Sequence, residues 1–255
     1  EHSLTPSRKN LFYRYAMLKD RLLIDSGRSD WSYFEITKEG WRLRQGDGHP
    51  FLRSSDVTEF HCFPDTARSP DDWKSFFRLF NVSNTHKQNI LKIWMATALI
   101  EGIARPGLVI NGPTGCGKST LGRVIRSIVD PVRMPIQDFP TYETRSLVLA
   151  LSNNGIPCFD NLSCLSREIS DLLCQATTGT DFASRKFYSD DTMISRRIKK
   201  PWILTGINNP GSQSDFLSRI FIIDLDMIPP SLRRSETEMD EAVEELKPRI
   251  QALLF

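Results

Sequence analysis

Gly112-Pro-Thr-Gly-Cys-Gly-Lys-Ser119 is the stretch on which the fold turns. It satisfies the spacing G-x-x-x-x-G-K-[ST] at every position, and its flanks supply the context that spacing needs. Leu108–Asn111 reads as a short apolar strand, and Ser119–Val129 as a helix that stops ahead of Asp130-Pro131. Strand, glycine-rich turn and helix in that order open a mononucleotide-type α/β fold. Glycines at 112, 115 and 117 let backbone N–H groups turn inward around phosphate oxygens. The helix N-terminus adds a partial positive charge of about half an electron. The expected cofactor-binding residues are Gly112, Pro113, Thr114, Gly115, Cys116, Gly117, Lys118, Ser119 and Thr120. Within that run Lys118 bridges the β- and γ-phosphates, the Ser119 hydroxyl ligates Mg²⁺, and Thr120 sits at the helix base.

A Mg²⁺-bound triphosphate needs a second anchor, normally an acidic residue at the end of a neighbouring buried strand. Gly155–Phe159 reads as that strand and Asp160 as that residue, holding the metal through water. Asn161 follows; its amide can orient a water but cannot accept the water's proton, which leaves the general base open. Pro201–Gly206 is the next apolar strand, and Asn208, with Asn209 second, emerges from its end toward the γ-phosphate and the water. The alternative is a plain Asn-Asn-Pro-Gly turn. Arg219 opens a last strand, Phe221–Leu225; it is poorly placed for its own nucleotide and suited to projecting into a neighbour's, the alternative being an ion-paired surface arginine. Arg233 and Arg234 read either as nucleotide sensors or as surface charge ahead of an acidic helix, which Ser235 and Glu238 open as a capping box.

Between the helix Ser166–Thr178 and the strand at Pro201, Ala183–Lys199 reads as a hairpin turning at Ser189-Asp-Asp-Thr192. Residues 184–200 carry six basic residues against two acidic ones, in a chain whose whole balance is 33 basic to 31 acidic. Arg185 and Lys186 adjoin Phe187 and Tyr188, a mixture in which cations track phosphates and an aromatic face stacks on bases. An exposed hairpin whose charge only keeps it soluble is the alternative.

Upstream, Ser7–Ile24 reads as a helix from Leu11, Tyr15, Leu18 and Leu22, followed by two short strands, Trp31–Ile36 and Trp41–Arg44. A boundary near residue 72 separates this small α+β module (1–72), of unreadable role, from an α/β domain over 73–255. Thr85–Gly102 and Tyr142–Ser152 read as further helices. At 40% hydrophobic and 25% charged, the 255 residues suit globular domains and exclude disordered or collagen-like classes. No window approaches the roughly 20 apolar residues of a membrane span, and five cysteines without regular spacing suit a reducing compartment. The expectation is a soluble cytoplasmic protein with no membrane partner, or one in the host's nucleic-acid compartment if virus-encoded.

The order of elements resembles the superfamily 3 helicases of the AAA+ class: glycine-rich loop, Asp-Asn after a buried strand, basic hairpin ending in Lys-Lys-Pro, strand ending in Asn, then Leu-x-x-Arg before a last strand. Through Phe159-Asp-Asn-Leu-Ser, Ala176-Thr-Thr-Gly and Arg185-Lys-x-Tyr-x-Asp-Asp, it is similar to ATP-binding proteins of phages and integrated elements. The resemblance covers about residues 75–250. It implies an AAA+-type P-loop domain with a central parallel sheet flanked by helices, and ATP with Mg²⁺ served by Lys118, Ser119, Asp160, Asn208 and Arg219. It further implies a ring, usually hexameric, around single-stranded DNA or other nucleic acid, with Arg185, Lys186 and Tyr188 of the hairpin lining the channel. A primase or replication initiator is a further expected partner. The activity so implied is ATP hydrolysis by a helicase-type motor. The chemical rivals are a P-loop small-molecule or nucleotide kinase and an ATP-dependent adaptor; a GTPase fails for want of Asn-Lys-x-Asp.

Overall fold

The computed structural model describes residues 12–46, 50–140, 143–162, 165–186, 189–206 and 213–255, without the side chains of 180–197. Its centre is a five-stranded parallel sheet built from β5 (Gly107–Asn111), β6 (Gln137–Asp138), β7 (Cys158–Leu162), β10 (Ile203–Gly206) and β11 (Ile220–Asp224). The order across the sheet is β11-β5-β10-β7-β6, so the strand carrying the glycine-rich loop has neighbours on both sides.

Alternate side chains of these strands enter two cores, as the period of two requires. Leu108, Ile110, Cys158, Ile203 and Ile223 face one layer, made by α1 (Pro70–Leu79), α2 (Thr85–Ala98), α3 (Lys118–Val129) and α7 (Glu236–Leu254). Val109, Phe159, Leu204 and Ile220 face the other, made by α4 (Thr144–Asn153), α5 (Arg167–Thr178) and α6 (Ser214–Leu217). Burial on both faces explains why β5 and β10 read as short, mainly apolar runs. The Ser235 hydroxyl accepts from the Glu238 N–H and the Glu238 carboxylate accepts from the Ser235 N–H, the reciprocal cap expected for α7.

Packing across the sheet is tight at Gly107. A Cβ there would lie 2.2 Å from the Trp202 indole, itself fully buried and stacked on Phe216. Gly107→Ala is expected to cost about 1–3 kcal/mol through overpacking. A urea midpoint equal to that of the wild type would show that the indole yields freely.

The N-terminal segment departs from expectation. Tyr15–Leu18 and Arg21–Asp25 are two strands, β1 and β2, where a helix over Ser7–Ile24 was predicted; residues 7–11 lie outside the described residues. Lys19 adopts φ 55° in a two-residue turn that pairs Leu18 with Arg21. Short strands joined by so tight a turn place Tyr15, Leu18 and Leu22 at spacings a helix would also produce. The predicted strands follow as β3 (Tyr33–Thr37) and β4 (Gly40–Arg44), completing an antiparallel meander. One face of it (Tyr15, Leu22, Ile24, Phe34) joins the α1–α2–α3–α7 core, where Phe255 meets Phe34, Trp41 and Phe60. The Tyr15 hydroxyl donates to the Val129 carbonyl at the end of α3.

The hairpin between α5 and β10 is a separate two-stranded sheet of β8 (Thr180–Lys186) and β9 (Ser189–Ile198). Its register pairs Lys186 with Ser189, so Ser189–Thr192, expected as the turn, belong to the second strand. Among the described residues no helix is long and apolar enough to cross a membrane. Four described cysteines, Cys62, Cys116, Cys158 and Cys174, are free and buried; burial pushes the Cys62 and Cys158 thiols up to about 12.

Candidate functional site

The glycine-rich loop leaves β5 at Gly112, which has φ 148° and no room for a side chain. A Cβ there would lie 2.7 Å from both Cys116 Sγ and the Leu225 carbonyl oxygen. Cys116 is therefore a packing residue inside the loop, 1% exposed, and Pro113, Thr114 and Gly115 form its exposed crest. Gly117, in the left-handed region at φ 86°, is the N-cap of α3 and makes no side-chain cap. The first N–H groups of α3 thus have no side-chain cap from that position. Lys118 folds back, its Nζ donating to the Gly112 and Pro113 carbonyls at 2.8 Å each. Thr120 is half-buried in the first turn of α3.

Ser119 connects this loop to Asp160. The Ser119 hydroxyl donates to Asp160 Oδ1 at 2.9 Å, and the same oxygen accepts from the Asn161 N–H at 2.8 Å and from the Thr205 hydroxyl. Asn161 itself is exposed and left-handed at φ 59°, a conformation asparagine tolerates better than most residues. Asp160 lies within β7, not just past its end, and β7 is not adjacent to β5: β10 runs between them. Thr205 of β10 is fully buried and fills that gap. The sequence carried no sign of this role, because a threonine in an apolar strand reads simply as a β-former. Asn208 and Asn209, expected at the end of β10, lie outside the described residues.

Arg219 stands immediately before β11, whose first residue, Ile220, pairs with Gly107 at the start of β5. Parallel pairing therefore puts Arg219 at the opposite end of the sheet from the glycine-rich loop, roughly 15 Å away along five residues of strand. Its guanidinium donates to Asp215 Oδ1 at 3.0 and 3.1 Å, one turn earlier. Arg233 behaves differently: its Nη2 lies 3.5 Å from where a Cβ on Gly115 would stand, beside the loop crest, while its Nε donates to the Ile228 carbonyl. A segment that sequence reading left open between sensor and surface charge thus brings a guanidinium to the loop.

Of the hairpin residues, Arg185 and Lys186 occupy the far end of β8, and Tyr188 lies outside the described residues. Two of the six basic residues are anchors instead. Lys199 donates to the Gly102 carbonyl, and Lys200 to those of Ser152 and Asn154, pinning the base of the hairpin to the domain.

The arrangement gathers a hydroxyl, a carboxylate, an ammonium and helix N–H groups without a side-chain cap around one loop. Hard oxygen donors such as Ser119 Oγ and Asp160 suit Mg²⁺, and the donor set fits a metal shared with a bound phosphate.

The family described as actinomycete integrative conjugative element replication protein (AICE RepA) matches residues 73–255, well over half of the chain. The chain belongs to that family. Its description makes this a replication-associated protein of a mobile element, in line with the resemblance to proteins of integrated elements. No curated protein matches. Among solved structures, the apo C-terminal region of NrS-1 superposes with TM-score 0.53 at 12% identity, over 88% of this chain and 64% of that one. At that identity the likeness speaks for the fold alone. A JCV helicase structure aligns with TM-score 0.46 at 11% identity, over 72% of this chain and 53% of that one, too low to carry an argument. The chain thus spans less than two thirds of the length of these two solved chains.

Proposed function

We propose that this chain is an ATP-hydrolysing nucleic-acid motor of the superfamily 3 helicase type, acting as an oligomeric ring in replication of its mobile element. The observation that carries this reading is the convergence of Lys118, Ser119 and Asp160 on one glycine-rich loop, with the Thr205 strand between. Residues 73–255 would be the motor and residues 1–72 an accessory module sharing its core.

In this reading the loop N–H groups and the start of α3 bind the β- and γ-phosphates, and Lys118 exchanges its bonds to the Gly112 and Pro113 carbonyls for phosphate oxygens. Mg²⁺, held by Ser119 and through water by Asp160, would neutralise charge developing on those oxygens. The Thr205 hydroxyl and the Asn161 N–H keep Asp160 oriented. Asn161 and Asn208 orient the attacking water, Arg233 supplies a positive charge from the same chain, and Arg219 completes the site of the next subunit. Arg185, Lys186 and Tyr188 contact the strand in the channel.

ATPase activity measured with and without single-stranded DNA, across protein concentration and salt, tests the reading. Turnover per subunit is expected to rise cooperatively with concentration, and DNA stimulation to weaken as salt rises. Turnover flat with concentration and indifferent to DNA would overturn it: transfer of phosphate to a small molecule would then mark a kinase, and nucleotide binding without turnover an adaptor.

A further inference from the structure

The outer face of the N-terminal meander lies outside both the glycine-rich loop and the span matched by the family. Its inner face is core, while its outer face divides in two. At one end Ala16, Leu23, Phe51, Phe12 and Tyr33 form a small apolar cluster. Directly beside it, with Glu35 opposite Leu23, three arginines from two strands share a single carboxylate. Arg21 Nη1 lies 2.8 Å from Glu35 Oε1, while Arg44 Nε and Arg42 Nε lie 3.0 and 3.6 Å from Glu35 Oε2. Register explains the meeting: Arg42 stands directly opposite Glu35, and Arg44 opposite Tyr33, two residues along the same face.

The exposures divide sharply. The Glu35 side chain is 8% exposed, whereas Arg21, Arg42 and Arg44 are 51%, 55% and 46% exposed. Hydrogen bonds from Arg21 and Arg44 hold the Glu35 carboxyl below the usual carboxylate range, so it stays ionised, yet it offsets only one of three positive charges. The remaining acids nearby, Asp20 and Glu39, sit in the two turns beside Lys19 and Lys38; Asp20 also acts on Arg21, and counting both turns leaves the excess of positive charge at two. Glu35 accepts from Arg21 through Nη1 and from Arg44 through Nε and pairs with Arg42 at 3.6 Å, which leaves the other N–H donors of the three half-exposed guanidinium groups to the solvent side with an excess of two charges. Guanidinium forks held in place in this way suit phosphate oxygens.

We infer that Arg21, Arg42 and Arg44 form a second nucleic-acid contact, a phosphodiester-backbone surface on the N-terminal sheet that works without nucleotide and apart from the hairpin. Nucleic acid is the favoured polyanion because the chain belongs to a replication-protein family.

The experiment is fluorescence anisotropy of the full chain without ATP, on a labelled oligothymidylate and on a duplex, across a salt series. R21Q/R42Q/R44Q is expected to weaken binding about tenfold or more, and to flatten the slope of log K against log salt by about 2 for single strands or about 3 for duplex. The arm with the larger change identifies the bound form. Glu35→Gln is expected to act in the opposite direction, tightening binding and steepening the slope, an effect a purely structural ion cluster would not produce. Basal ATP hydrolysis and the circular dichroism spectrum should match wild type in the triple variant, which separates this surface from the motor reading. Unchanged affinity and slope in the triple variant overturn the inference, as does polyglutamate competing as well as DNA.

Discussion

Arg219→Ala protein is expected to retain Mg²⁺-ATP as tightly as wild type and to hydrolyse it about 10³–10⁵-fold more slowly. Strand direction sets this expectation. Because β11 runs parallel to β5 and Ile220 pairs with Gly107, Arg219 sits at the end of the sheet away from the loop of its own subunit. An arginine side chain cannot span that strand length, so any contact with transferred phosphate must cross a subunit boundary. Its present partner, Asp215, holds it through two N–H groups at 3.0 and 3.1 Å in an exposed pair one helical turn apart. Such pairs contribute less than about 1 kcal/mol, and leaving Asp215 for a phosphate costs little. Two measurements check the expectation: equilibrium binding of a fluorescent ATP analogue, and turnover. Mixing Arg219→Ala with Lys118→Ala subunits should restore hydrolysis where an intact loop meets an intact arginine. Turnover of Arg219→Ala equal to wild type, or no recovery on mixing, would remove the arginine from the site.

Asp130→Ala is expected to destabilise the fold by about 3–5 kcal/mol, more than the overpacking at Gly107. Asp130 caps the end of α3, is 2% exposed, and accepts from the Ile156 N–H at 2.8 Å. Its two oxygens lie 3.7 Å from Arg14 Nε and 3.8 Å from Arg126 Nη2, and both arginine side chains are 1% exposed. Arg14 also approaches Asp25 at 3.9 Å and donates to the Thr58 and Pro131 carbonyls. Removing the shared carboxylate strands buried positive charge at the seam between the small sheet and α3. Urea unfolding of the variant reads the loss directly, and a change below about 1 kcal/mol would mean that water enters the seam and screens the arginines. The same experiment should show the N-terminal sheet loosening together with the α/β core, because Tyr15 and Arg14 tie both to the end of α3.

Much of the candidate site was legible because its signals are local. The loop glycines, Lys118 and Ser119 lie within eight consecutive residues, and their strand and helix neighbours follow from apolar spacing over a turn or two. Asp160 was found because a carboxylate at the end of a run of apolar residues is conspicuous, although the observed strand runs two residues past it. The predicted N-terminal helix failed for a related reason: apolar residues three and four apart are compatible with a helix and with two short strands joined by a tight turn, and spacing alone does not choose. Packing chose, since only a sheet could offer Tyr15, Leu22, Ile24 and Phe34 together to the core containing Phe255.

What the amino-acid sequence determined by itself was the α/β class, the strand–loop–helix unit, the cap at Ser235 and the chemical character of the residues at 118, 119 and 160. All of these depend on groups within a few residues of one another. Tertiary structure alone decided that Thr205 reaches Asp160, that Arg233 reaches the loop, and that Lys199 and Lys200 anchor the hairpin they were expected to charge. Those contacts depend on the order of strands in the sheet and on which face each element buries. Both are set by the summed burial of many distant side chains, a quantity that no short stretch of sequence contains.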